Sequence, residues 1–157
     1  MQPTDPNDHP GVIAFPPFIF VGCVGLGGLL HWLFPTRVMM YAASVSIGVV
    51  LAVASMSLAL WAARVMKAAG TNVRPDRPSL TVVRGGPYRF TRNPMYLSLC
   101  LLQLAVGFIL DGWTPILLTI PLALILHFGV ILREERYLER KFGERYLEIK
   151  REVRRWL

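Results

Sequence analysis

The sequence predicts an all-α integral membrane protein with about four transmembrane helices followed by an amphipathic cytoplasmic helix, and three observations carry that prediction. Of its 157 residues, 54% are hydrophobic and 17% charged, with a mean hydropathy of +0.45, which is too apolar for an ordinary soluble domain and too short for more than one. The apolar residues form four blocks, near 12–34, 38–63, 94–110 and 113–132, each of a length suited to a hydrocarbon core of roughly 30 Å. The basic residues gather beside those blocks: of 17 Lys and Arg, seven lie in 64–92, nine in 133–157, and the remaining one is Arg37. This positive-inside distribution places the loop 64–93, the tail 133–157 and both termini on the cytoplasmic side of an inner or cytoplasmic membrane. It also accounts for the net charge of +7 without a nucleic-acid partner.

Residues 1–10 are polar and turn-rich, lack the basic start of a signal peptide, and read as a short arm. In the first block Gly22, Gly25, Gly27 and Gly28 follow no strand pattern and accompany no lysine, so they are assigned to close helix contact rather than to a nucleotide loop. His31 and Trp32 end that block at the headgroup level, and Pro35-Thr36-Arg37 turns into the second, where Ala and Ser residues such as Ser44 and Ser55 suit close packing. The polar loop that follows ends in an extended run, Leu80-Thr81-Val82-Val83-Arg84. A loop of that length between spans is unusual unless it has a function. Asp111-Gly112 makes a tight turn between the third and fourth blocks, so these two form a helical hairpin. Pro115 falls in the first turn of the fourth block and is cheap there, whereas Pro121 is a candidate kink. His127 stands alone on that helix and reads as a satisfied packing histidine. Cys23 and Cys100 both fall in apolar blocks and behave as small hydrophobes, so neither a disulfide nor a metal site is expected.

Chemistry concentrates in Gly85-Gly86-Pro87-Tyr88-Arg89-Phe90-Thr91-Arg92-Asn93-Pro94-Met95-Tyr96. Two glycines and a proline demand a tight non-helical approach, Asn93 is a strong cap, and Pro94 is well tolerated at the first helical position. A helix start beside Arg92 offers N–H groups and a guanidinium to an anion. Beyond the hairpin, Glu134 and Glu135 stand at the mouth of a membrane helix, where carboxylates are costly unless partnered. Arg92 or a cationic ligand would serve. In the tail, Tyr137, Leu138, Phe142, Tyr146, Leu147 and Ile149 recur at mostly helical spacings among Arg and Glu, which suits a helix lying on the membrane surface or folded back over the loop.

Arg92-Asn93-Pro94-Met95-Tyr96, then the hydrophobic hairpin, then Glu134-Glu135 and Phe142-Gly143-Glu144-Arg145-Tyr146, resembles the ordered signature of the isoprenylcysteine carboxyl methyltransferases and phospholipid N-methyltransferases. The likeness takes in Gly70-Thr71-Asn72 and the Leu80–Val83 run, hence roughly the second half of the chain. It implies that residues 1–157 form a single membrane methyltransferase domain with a cytoplasmic site for S-adenosyl-L-methionine. By motif, Leu80, Thr81, Val82, Val83, Tyr88, Asn93, Pro94, Met95, Tyr96 and Glu134 would line the cofactor, and Arg92, Glu134 and Glu135 would be the catalytic group. The implied acceptor is small or lipophilic and carries a carboxylate, amine or thiol.

Each part of that cofactor finds a suitable residue type. Its carboxylate suits Arg92 and the helix start, its ammonium and ribose hydroxyls suit Glu134 or Glu135, and its adenine and sulfonium suit the faces of Tyr88 and Tyr96. The family histidine is Asn93 here, which does not titrate. An arginine expected about one turn before the Glu pair in the eukaryotic prenylcysteine enzymes is replaced by Val130, with Arg133 the nearest, and the chain has one hairpin fewer than those enzymes. Two other readings compete. An NADPH-dependent membrane lipid reductase shares a related motif, and a non-catalytic membrane subunit explains the spans and charge but not the Glu pair or the Gly-Gly-Pro-Tyr turn.

Overall fold

A computed structural model describes residues 10–74 and 77–157; all but the last residue of the arm expected over residues 1–10, and two residues of the long loop, lie outside the described part. Every regular element among the described residues is helical. Helix α1 (Pro16–Leu33) begins on the Pro16-Pro17 pair, because proline at the first helical position forfeits an N–H that has no partner there. Helix α2 (Tyr41–Ala68) runs five residues past the apolar block, through Arg64 and Lys67. No helix breaker occurs before Gly70, and long basic side chains can carry their charge out of the apolar zone while the stem stays in it. Helix α3 (Pro94–Ile109) has 16 residues, about 24 Å at the usual rise. It is apolar but shorter than the three helices long enough to cross a membrane, which are Pro16–Leu33, Tyr41–Ala68 and the continuous run Trp113–Phe142.

That last run has internal structure. Helix α4 (Trp113–Leu117) breaks at Leu118 before α5 (Thr119–Leu126), as it should where Pro121 has no N–H for the Leu117 carbonyl. Pro115, inside the first turn, causes no break. A π turn (His127–Ile131) leads into α6 (Leu132–Phe142), so the charged helix expected as a separate tail from Arg133 instead continues the span without interruption. The bend comes at Gly143, whose φ of 55° and ψ of −131° suit a residue without a Cβ. Beyond it, α7 (Glu144–Glu152) folds back over the loop rather than lying apart on the membrane, held by Arg84 to Glu148 at 2.7 Å and by the Glu139–Lys150 ion pair to α6.

Helix α3 is the centre of the bundle and has no exposed residue before Ile109. Ser44, Gly48, Ser55 and Ala62 bury one face of α2 against it. The Ser44 hydroxyl donates to the Phe108 carbonyl and the Ser55 hydroxyl to the Ser98 carbonyl, each at 2.7 Å. These hydroxyls satisfy themselves on helix backbone, where water is absent. On its other side α3 presents Tyr96 and Cys100 to Leu122, Leu126, Val130 and Ile131. The glycines of α1 depart from expectation: among the described residues only Gly27 touches another helix closely, at Pro115, whereas Gly22, Gly25 and Gly28 have nothing near the position of a Cβ.

At the hairpin turn Asp111 adopts φ 50° and its Oδ1 accepts the Val38 and Met39 N–H groups at 3.1 and 3.2 Å. This ties the α1–α2 connection to the α3–α4 turn. Burial pushes the carboxyl up, but the Met39 and Val38 donors, helped by Ser44 and Arg37, outweigh it and hold it below the usual carboxylate range.

Two outcomes follow from this packing. A Cβ on Gly48 would lie 2.9 Å from both the Ala105 carbonyl oxygen and the Ile109 nitrogen, so Gly48→Ala should lower thermal stability in detergent by about 1–3 kcal/mol, while Gly22→Ala stays within about 0.5 kcal/mol of wild type. Because the Asp111 carboxyl titrates lower in the folded protein than in the unfolded chain, its stabilisation is complete above the ordinary carboxylate range and is lost as pH falls through the folded value. Melting curves of Asp111→Asn between neutral and strongly acid pH should therefore lack part of the wild-type acid destabilisation.

Candidate active site

The loop after α2 is ordered by its own side chains. Thr71 Oγ1 accepts the Leu80 N–H at 3.0 Å, Asn72 Nδ2 donates to the Pro78 carbonyl at 2.8 Å, and the Ser79 N–H donates to the Tyr137 hydroxyl at 3.2 Å. These bonds lay residues 79–83 beside α6. The chain then enters a 3₁₀ turn (Gly86–Arg89). Gly86 sits there with φ 57° so close to Val65 and Trp61 of α2 that no side chain would fit. Tyr88 is thereby turned toward the start of α3.

Loop, α3, α6 and α7 together enclose a cleft. Its walls include Thr81, Val82, Val83, Tyr88, Arg92, Asn93, Pro94, Met95, Tyr96, Glu134 and Glu135, which is every residue expected from sequence except Leu80. Leu80 is 63% exposed and is not among the residues that line the cleft, although its neighbours Ser79, Thr81, Val82 and Val83 are. The walls also include Met66, Val73, Ser79, Leu138, Tyr146 and Ile149, none of which was expected there. Tyr146 and Ile149 are three apart on α7 and share a face; that spacing was visible, but the sharp bend that turns the face inward was not.

The two glutamates have different surroundings. Glu134 Oε2 accepts the Tyr96 hydroxyl at 2.8 Å and has no ion-pair partner among the described residues. Glu135 is buried, with its side chain 5% exposed, between two guanidinium groups. Arg155 takes both of its oxygens, Nε to Oε1 at 3.0 Å and Nη2 to Oε2 at 2.9 Å, while Arg92 Nη2 stands at 3.3 Å from Oε1. The Glu135 hydrogen bonds push the Arg155 guanidinium further up. Arg92 itself is 9% exposed at its side chain, and its Nε and Nη1 are buried with no hydrogen-bond partner among the described residues. The Tyr146 phenol also faces this guanidinium but makes no hydrogen bond to Nε or Nη1, and buried donors left unpaired are expensive unless something else meets them.

The helix start differs from expectation. Asn93 occupies the cap position, yet its side chain makes no cap bond; its Nδ2 donates instead to the Arg155 carbonyl at 2.9 Å. The Asn93 N–H goes to Thr91 Oγ1 at 3.2 Å and the Arg92 N–H to the Arg154 carbonyl at 3.0 Å. Pro94 has no N–H, so these backbone groups, anticipated as anion donors, are already used. The guanidinium of Arg92 stays available for an anion. Residues 153–157, unforeseen from sequence, form the opposite partner: besides the bonds above, Thr91 Oγ1 donates to the Arg155 carbonyl at 3.1 Å and Trp156 Nε1 donates to His127 Nδ1 at 3.2 Å, with the two rings stacked. His127 is thus a satisfied packing residue.

Burial, then the charge of Glu134, pushes the Tyr88 phenol well above its ordinary value. Burial, then Glu135, does the same to Tyr146, only partly offset by Arg92. Both phenols are therefore protonated at neutral pH and can donate hydrogen bonds, not accept protons. The cleft consequently presents a cation with free donors, a carboxylate without an ion partner, two neutral phenols and apolar walls. Such a site fits a zwitterionic ligand with an aromatic end.

Comparison with known proteins gives two matches. The phospholipid methyltransferase family matches residues 43–145, which include the loop, the hairpin and both glutamates. An uncharacterized protein of Haemophilus influenzae is 46% identical over 63 residues, 40% of this chain and 100% of that relative.

The geometry separates two substitutions. Tyr96→Phe removes the hydroxyl that Glu134 accepts and should lower stability in detergent by about 1–3 kcal/mol; Leu80→Ser, outside the cleft, should stay within about 0.5 kcal/mol of wild type by the same melting assay.

Proposed function

This chain belongs to the phospholipid methyltransferase family, and we propose that it is a membrane methyltransferase using S-adenosyl-L-methionine to methylate a small or lipophilic acceptor at the cytoplasmic face. The observation that supports this best is the pairing, in one cleft, of Arg92 with two buried, unpartnered donors and Glu134 with no ion partner. An amino-acid end carries a carboxylate for the first and an ammonium for the second.

Within this reading Arg92 holds the carboxylate through Nε and Nη1. Glu134 receives the ammonium or a ribose hydroxyl and stays oriented by the Tyr96 hydroxyl. The rings of Tyr88 and Tyr96 flank the adenine and sulfonium, favourable for both a flat heteroaromatic and a cation. Thr81, Val82 and Val83 from the loop, with Asn93, Pro94 and Met95 at the helix start, close the cofactor's walls, while Leu80 has no part. Glu135 does not touch the ligand; it is paired with Arg155 and, through one oxygen, with Arg92.

When bound, S-adenosyl-L-methionine supplies a methyl group on a sulfonium sulfur, open to in-line displacement. The protein's contribution is then alignment and exclusion of water, for which no strong acid or nucleophile is required. Glu134 is the group able to accept the proton that an amine acceptor must lose. A carboxylate or thiolate acceptor would need no such base. The basic loop and tail support a cytoplasmic position for this end of the bundle, and acceptor entry from the bilayer.

Calorimetric titration of the detergent-purified protein tests the reading. S-adenosylmethionine should bind and NADPH should not, and Arg92→Ala and Glu134→Gln should each weaken binding by roughly tenfold or more, about the worth of one charge-assisted hydrogen bond. Absence of S-adenosylmethionine binding, or affinity unchanged in both variants, would overturn it.

A further inference from the structure

Arg92 has a carboxylate beside it, yet leaves two of its nitrogens idle. An isolated Arg–Glu pair would close into a bidentate fork, with both oxygens on the guanidinium and its charge neutralised. Here the fork is taken by Arg155, at 3.0 and 2.9 Å, and Arg92 reaches Glu135 only through Nη2 at 3.3 Å. Two guanidinium groups share one buried carboxylate, and the less neutralised of their two positive charges is that of Arg92, which has the weaker hold on it. Arg92 is also the one that lines the cleft.

Arg155 is itself fixed from several sides. The neighbouring Arg154 carbonyl receives the Arg92 N–H. Its own carbonyl receives Thr91 Oγ1 and Asn93 Nδ2. The indole of Trp156 bonds to His127 in the π turn and packs against the core. Residues 153–157 are thus strapped across the helix start of α3 and the flank of α6, and the guanidinium of Arg155 is presented to Glu135 in one orientation. A planar fork held this way loses little freedom on forming its bonds.

We propose that Arg155 is a positioning residue: by occupying both oxygens of Glu135 it keeps the Nε and Nη1 donors of Arg92 open to the carboxylate of the cofactor. This rests on the cofactor reading above. Without Arg155, Glu135 turns onto Arg92, neutralises it and takes its free donors. The site then loses affinity for ligands with a carboxylate while keeping its affinity for those without.

The test is calorimetric titration of full-length protein in detergent with two ligands, S-adenosylhomocysteine and 5′-methylthioadenosine, which lacks the amino-acid end. Arg155→Ala should weaken S-adenosylhomocysteine by roughly tenfold or more and leave 5′-methylthioadenosine within about twofold. Arg155→Lys should keep part of the lost affinity. Adding Glu135→Gln to Arg155→Ala should recover most of the S-adenosylhomocysteine affinity, because a neutral amide cannot cancel the charge of Arg92. A strap that merely supports the fold predicts the reverse, since the double variant removes one more buried contact. Equal loss of both ligands in Arg155→Ala, unchanged S-adenosylhomocysteine affinity, or a double variant no better than the single would each overturn the proposal. If the wild type binds neither ligand, the cofactor reading falls and this proposal with it. If the wild type prefers S-adenosylhomocysteine and Arg155→Ala keeps that preference, this proposal alone is refuted.

Discussion

The buried carboxylate of Glu135 is the constraint on which the active end of this protein depends. A charge there, at the end of an apolar helix, is tolerable only with partners close by. The two arginines that meet it come from distant parts of the chain, Arg92 before α3 and Arg155 after α7. Satisfying one carboxylate therefore draws together the loop, the central helix, the long membrane helix and the strap. Removing one member of such a buried set typically costs about 3–5 kcal/mol, because the others are left unpaired.

The rest of the bundle serves to deliver these groups to one place. Serine hydroxyls and Gly48 bring α2 onto α3 at close range. Tyr96, in the first turn of α3, then stands opposite α6, and its hydroxyl orients Glu134. Adjacent residues on α6 point about 100° apart, which is why Glu134 faces the cleft with a hydroxyl for company while Glu135 faces the arginines. Two neighbouring acids thus have different surroundings: one lines the cleft beside a hydroxyl, the other lies between two guanidinium groups.

Much of this was legible in the sequence where local chemistry decides the outcome. The all-helical membrane fold follows from apolar block lengths and the placement of Lys and Arg. The tight turn at Gly85-Gly86, the start of α3 at Pro94, and the hairpin at Asp111-Gly112 follow from the backbone preferences of those residues. The ordered motifs from Arg92 to Tyr146 pointed to the family to which the chain belongs. What was not legible depends on contacts distant in sequence. Nothing near Arg155 marks it as the partner of Glu135, and nothing near Asn93 says that its side chain will turn from capping to a carbonyl 62 residues away. A motif run does not say which of its side chains faces inward, and here Leu80 points outward while Thr81, Val82 and Val83 line the cleft. The bend at Gly143 was carried by one glycine in a helical pattern, too little to forecast that α7 would supply a wall.

The central claim is that an amino-acid carboxylate rests on the idle side of Arg92 while Arg155 holds Glu135 away. A structure of the protein determined with S-adenosylhomocysteine tests it most directly. The account predicts the ligand carboxylate at about 3 Å from Arg92 Nε and Nη1, with the Arg155–Glu135 fork intact. A ligand seated elsewhere, or one whose carboxylate avoids Arg92 while Glu135 closes onto it, would contradict the account.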